Sequence, residues 1–196
     1  TLAWLANQAC IEIHPWLSRV TSPRRPDLMV LDIDPMPPTG FNESLIVARE
    51  IKKVLDAVGL RSWIKTSGAT GLHIYVPIEP KYDYPTVVKG SLIVARTVKA
   101  SLPELVTLER TVAKRGPKVY LDCYQNALGK TLAAPYSVRP RRKAPVSIPL
   151  SWDEIEPSGI RPEDFNIKSV PQRLKEVGDP FRSLLDYAQP LEVIMR

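Results

Sequence analysis

At 196 residues, 44% hydrophobic and 24% charged, the chain has the make-up of one large globular domain or two small ones, long enough to bury a core without staples. No apolar run approaches a membrane span and no basic-plus-apolar leader opens the chain, so it reads as soluble and cytoplasmic, with no membrane partner. The formal charge of +6 favours a polyanionic partner, and two distant cysteines, Cys10 and Cys123, exclude a disulfide framework or zinc cluster and read as reduced packing residues.

The chain opens on Thr1 and a helix-like pattern of Leu2, Leu5, Ala6 and Ala9, as a piece of something longer would. In Ile13-His14-Pro15-Trp16 that follows, His14 reads as packed and Trp16 as core. A strand is expected at about 28–34. A helix follows from Asn42 to about Val58, where Leu45, Ala48, Ile51, Val54 and Leu55 keep helical spacing and Gly59 is a stop. Strands at 61–66 and 72–78 flank the Ser67-Gly-Ala-Thr-Gly71 loop. A second helix runs from about Tyr84 to Ser101, and after a basic hairpin-like stretch "KVYLDCYQ", 118–125, is a further strand. Beyond 126 come extended pieces, then helices near 168–177 and 180–188; twenty prolines punctuate 15–38, 135–149 and 157–190.

This order predicts an α+β fold with a ferredoxin-like or RRM-like βαββαβ core over 28–125, whose first strand lies between the third and fourth, and a C-terminal extension over 126–196 with a basic strand and helices. Alternation in "MVLDIDP" puts Asp32 and Asp34 on one face and Met29, Leu31 and Ile33 on the other. Asp122 shares a face with Tyr120 and Tyr124, with Val119, Leu121 and Cys123 opposite, and His73 alternates with Leu72 and Ile74. Asp32, Asp34, Asp122 and His73 are therefore expected on the open face of one sheet. Three carboxylates there repel one another and call for a positive partner; Mg²⁺ or Mn²⁺ suits them, whereas a lone DxD at a strand end can simply be solvated.

In "TSGATGLH", 66–73, Gly68 and Gly71 allow backbone N–H groups to face an anion, with the Ser67 hydroxyl and His73 as further donors; an ordinary glycine hairpin is the alternative. Arg139 and Arg141 of "RPRRK" lie on one side of an extended segment, suited to phosphate, and Arg110, Lys114, Arg115 and Lys118 suggest a basic strip along a duplex.

Together, the Ile13-His14-Pro15-Trp16, "LDIDP", "KTSGATGLHIYVP", "VYLDCYQNALGKTLAAPYSVRPR" and "PLSWDE" motifs, in this order, resemble the polymerase domain of bacterial and archaeal ligase D, in the archaeo-eukaryotic primase superfamily. The resemblance implies one catalytic domain over 1–196 that extends primer 3′ ends on a template with NTPs or dNTPs, filling gaps at double-strand breaks during non-homologous end joining in a prokaryote. It implies two Mn²⁺ or Mg²⁺ ions held by Asp32, Asp34 and Asp122. Ser67, Gly71, His73, Arg139 and Arg141 would surround the nucleotide's phosphates, and His14 its sugar. Primer-template or gapped DNA, a Ku-like end-binding protein and a ligase module are the implied partners. The chain departs from the family pattern at Thr70, where a lysine is usual, and nothing in it matches the family's N-terminal portion before the HPW motif. Two other classes compete: a metal-dependent nuclease, which would need a water-activating group, and a non-catalytic RRM-like binding module stacking bases on Tyr120 and Tyr124.

Overall fold

The computed structural model describes residues 1–155 and 159–195. Its elements run α1 (Leu2–Asn7), β1 (Leu28–Pro35), α2 (Phe41–Ala57), β2 (Trp63–Thr66), β3 (Leu72–Pro77), α3 (Tyr84–Ser101), β4 (Val106–Thr107), β5 (Val119–Asp122), β6 (Pro149–Leu150) and α4 (Val170–Val177), with short 3₁₀ turns between them. The six strands form one mixed sheet in the order β4-β5-β1-β3-β2-β6. β1 lies between β3 and β5, antiparallel to both, as the βαββαβ reading requires. The two-residue edge strands β4 and β6 were not foreseen, being too short to show any period.

Every residue from Met29 to Ile33 is buried, because both faces of β1 are covered at this point. Met29, Leu31 and Ile33 face α2 and α3, meeting Leu72, Ile74, Ile64 and Leu121 with Leu45, Ile51, Val94 and Val98. The opposite face is only half open. Val30, Tyr75 and Leu17 pack there with Leu132, Phe181 and Leu184, and the rest of the face carries polar side chains, of which Asp32, His73 and Lys65 are buried and Asp34 and Asp122 half-buried.

Local chemistry sets the ends of both long helices. Glu43 reaches back to accept from the Gly40 N–H at 2.7 Å, and the Asp83 side chain accepts from Thr86 N at 2.9 Å with Pro85 in the first turn.

Several expectations fail, each for a local reason. The basic run 139–143 is a turn rather than a strand, closed by Ala144 N–H donating to the Arg141 carbonyl at 2.9 Å, and His14 is exposed rather than packed. The strand at 118–125 stops at Asp122: its carboxylate accepts from Tyr124 N at 2.8 Å and turns Cys123–Asn126 into a 3₁₀ helix, so Tyr124 does not share a strand face with Asp122. The helix at 180–188 is only a 3₁₀ turn, Leu184–Asp186, in a segment fixed by Phe181 and Leu184 packing rather than by helical periodicity. Trp16 is 45% exposed, with Leu17 the residue that enters the core. Cys10 is exposed, its thiol donating to the Glu12 carbonyl, whereas Cys123 is buried as expected. α1 does form, but none of its residues is buried.

Candidate active site

The sheet register brings four polar residues into one line. Asp122 of β5 stands opposite Asp32 of β1, Asp32 opposite His73 of β3, and His73 opposite Lys65 of β2. Asp34 is two residues along β1, opposite Tyr120, and so on the same face. Residues directly opposite in a ladder hold their Cβ atoms about 5 Å apart, so this row is a chain of near neighbours.

β1 carries the acids here because its even-numbered residues face away from α2 and α3. The site end of the strand is kept in place by Asn126. Where β5 turns away, the Asn126 side chain accepts from Val30 N at 2.8 Å and donates to Val30 O at 2.7 Å, replacing the missing strand partner. Its amide also donates to Cys123 O at 2.9 Å.

The carboxylates are under strain from one another. Burial, then the Asp122 charge, raises Asp32 to about 7; burial, then Asp32 and Asp122, raises Asp34 to about 7. Asp32 Oδ1 is buried without a hydrogen-bond donor, although His73 Nε2 lies 3.3 Å from it, and His73 Nδ1 is likewise unpartnered. Burial, with Lys65 and Arg139 nearby, holds His73 well below the usual imidazole range. Among the described residues no three His, Cys, Asp or Glu side chains close into a complete metal cage. The donor set fits a hard divalent cation in a different way: carboxylates of two adjacent strands on one sheet face, one of them with an orphaned buried oxygen.

The glycine loop differs from the expectation. The Ser67 hydroxyl accepts from the N–H groups of both Ala69 and Gly71 at 3.1 Å, so these amides turn inward on the loop. Gly71 has a steric reason to be glycine, since a Cβ there would lie 2.0 Å from the Ile33 carbonyl oxygen of β1. Gly68, at φ +71°, packs so closely on Arg139 and Ser147 that a Cβ would lie 2.7 Å from the arginine's Cγ.

The expected arginines part ways. Arg139 donates to the Ser67 carbonyl at 2.7 Å and pairs through Nε with Glu12, whose other carboxylate oxygen is 3.6 Å from His14 Nε2. Glu12 thus ties His14, Arg139 and the loop together. Arg141 is exposed and lines a groove of about 430 Å³ with Gly68, Ala69 and Thr70. In the basic stretch, Arg115 lies 3.6 Å over the Tyr120 ring and near enough to Asp34 for its charge to be felt there, and Arg110 lies 4.3 Å over Tyr124. Lys118 donates to Pro103 O at 2.7 Å, and Lys114 is exposed.

Two residues of this site escaped the sequence reading. Glu12 lies just ahead of the HPW motif, and Lys65 ends the row; its signal was a lysine in an apolar strand, on the face opposite Ile64. Lys65 is wholly enclosed, bonded to the Ser147 hydroxyl and, at 3.3 Å, to the Thr66 carbonyl. Burial lowers it to about 7 despite the pull of Asp32.

Residues 1–181 match the family model described as "LigD, primase-polymerase domain". The chain is 37% identical over 182 residues to the bifunctional non-homologous end joining protein LigD of Bacillus subtilis (strain 168), covering 92% of this chain and 30% of that protein. It is 32% identical over 197 residues to the multifunctional LigD of Pseudomonas aeruginosa, covering 100% of this chain and 23% of that protein. The chain therefore spans less than a third of the curated relatives it matches. The solved polymerase domain of Mycobacterium tuberculosis ligase D, in complex with DNA, superposes with a TM-score of 0.86 at 31% identity, over 95% of this chain and 67% of that one.

Proposed function

The chain belongs to the LigD primase-polymerase domain family and is thus a polymerase-type nucleotidyltransferase domain, and we propose that it extends primer 3′ ends on a DNA template, filling gaps during non-homologous end joining. The observation that supports this most is the row Asp122–Asp32–His73–Lys65 with Asp34 beside it: carboxylates at one end of a sheet face, nitrogen donors at the other. A nucleoside triphosphate carrying a divalent metal has the complementary distribution of charge.

In this reading Asp32, Asp34 and Asp122 hold two ions, Mn²⁺ or Mg²⁺. When bound, the ions supply Lewis-acid activation of the primer hydroxyl and charge neutralisation at the departing pyrophosphate. Burial and the repulsion of neighbouring carboxylates destabilise the charged forms of Asp32 and Asp34 without a cation, so the protein invests folding energy in a site that is complete only when loaded. His73, held neutral, offers an N–H to a phosphate oxygen. Arg139 is pre-oriented by Glu12 and the Ser67 carbonyl, so little of its rotamer freedom remains to be lost on binding triphosphate. Ser67, its oxygen already accepting from the loop, keeps its O–H to donate. His14 lies on the other side of Glu12, where a sugar contact would favour ribonucleotides.

The 196 residues act as one catalytic domain with the 28–125 core at its centre. Arg141 and Lys114, both exposed, are assigned to DNA or nucleotide phosphate; a Ku-like end-binding protein and a ligase module are the expected partners. The binding-module alternative is disfavoured because Tyr120 is buried beneath Arg115 and offers no free face for a base.

The test is primer extension on a 5′-phosphorylated gapped template with Mn²⁺ and NTP or dNTP, beside Asp32→Ala/Asp34→Ala. Templated extension by the parent and none by the variant is the expected result. Degradation of the primer in place of extension would point to a nuclease.

A further inference from the structure

Charge along the polar row is sorted, and one of its cations lacks any anion of its own. Lys65 is the largest fully enclosed side chain among the described residues. Its hydrogen-bond partners, the Ser147 hydroxyl and the Thr66 carbonyl, are neutral, and among the described residues no carboxylate lies within ion-pair distance of its ammonium. Arg139, by contrast, has Glu12. The two bonds do not require a cation, since Ser147 Oγ itself donates to Thr66 O at 2.8 Å. A buried ammonium is expensive to keep unless its charge is used.

The position of that charge is informative. Lys65 is two residues before Ser67, and its partner Ser147 is the residue whose backbone lies against Gly68. The ammonium is thus at the base of the 67–71 loop. That loop, Ser-Gly-Ala-Thr-Gly, has no cationic side chain of its own. Arg139 and Lys65 sit on the far side of His73 from Asp32, close enough for the Arg139 charge to lower Lys65 and for both to lower His73. Such a cluster is relieved by an anion. In a low-dielectric setting a fixed charge acts over several ångströms without contact.

Building on the polymerase reading above, we propose that Lys65 is a positioning residue for the nucleotide's triphosphate: a buried ammonium under the glycine loop that supplies the positive potential the loop's own side chains lack. It touches neither substrate nor reacting atoms. Its effect should grow with the number of phosphates on the ligand, which a purely structural lysine would not produce.

The experiment is equilibrium binding of a fluorescent nucleotide as mono-, di- and triphosphate, with Mn²⁺ and no primer, so that no turnover occurs. For the parent chain, affinity should climb along the series. K65M should weaken triphosphate binding about tenfold or more while changing monophosphate binding less than about twofold. Adding T70K to K65M, which places an ammonium on the loop, should recover part of the loss. S147A, which keeps the ammonium but removes its hydroxyl partner, should leave the gain from mono- to triphosphate unchanged, and it remains informative if K65M does not fold. Equal losses for all three ligands in K65M, no recovery with T70K, or loss of the gain in S147A would each overturn the proposal. If the parent chain itself shows no gain along the series, the polymerase reading fails first; if the parent shows it and K65M matches the parent, only the role of Lys65 falls.

Discussion

At the scale of single residues the site is a set of mutually dependent charges. Glu12 is an anion placed where a triphosphate is expected, which makes sense only because it holds Arg139 and lies beside His14. Glu12→Gln removes a charge-assisted bond of about 1.5–3 kcal/mol, so KM for NTP should rise on the order of tenfold or more with a smaller change in kcat, read by steady-state extension at saturating primer. Asp32 and Asp34 work the other way: burial and neighbouring carboxylates set their charges against the metal-free fold. Asp32→Asn/Asp34→Asn should abolish extension yet raise the melting temperature of the metal-free protein, and the parent's stabilisation by Mn²⁺ should disappear in the variant. A variant that melts lower than the parent in the absence of metal would contradict this account. The aspartates and histidine were readable in the sequence because each sits in an alternating strand. Glu12 was not, since only the folded chain brings residue 12 to residue 139.

At the scale of elements, β1 is the beam from which the site hangs, and two residues control its neighbours. Asn126 substitutes for a strand: three side-chain bonds let β5 turn away at Asp122 without stranding the backbone of Val30. Asn126→Ala should leave a buried N–H and C=O of β1 unpaired and cost on the order of 2–4 kcal/mol in urea unfolding, with loss of activity following loss of stability. Gly71→Ala should be worse tolerated, because its Cβ meets backbone of the central strand rather than a flexible side chain. The alternation of 28–34, the helical spacing of 42–58 and the flanks of the glycine loop were visible to periodicity alone. The ends were not: the turn at Cys123 depends on what the Asp122 carboxylate finds to bond, and the 181–184 segment is shaped by docking on Val30 and Tyr75.

At the scale of the whole molecule, the buried charges give stability a pH dependence with a definite sign. Asp32 and Asp34 have folded values of about 7 against an ordinary 3.8, so between these limits the folded state binds protons that the unfolded chain does not. Their contribution to stability therefore falls as pH rises from about 4 to about 7. Lys65, lowered from 10.5 to about 7, binds fewer protons folded than unfolded, so its contribution rises with pH above about 7. The melting-temperature difference between Asp32→Asn/Asp34→Asn and the parent, measured without metal, should accordingly widen from pH 5 to pH 7.5; a constant difference would show that the carboxylates do not titrate in this window. The sequence by itself determined the α+β class, the βαββαβ order, the acid triplet and the family resemblance, because these rest on side-chain periodicity and on motifs contiguous in the chain. Only the tertiary structure decided that Asp122, Asp32, His73 and Lys65 form one row, that Arg139 and Arg141 diverge, and that the glycine loop turns its amides inward. Those outcomes depend on strand register and on which groups compete for each hydrogen bond, and neither is settled until distant parts of the chain meet.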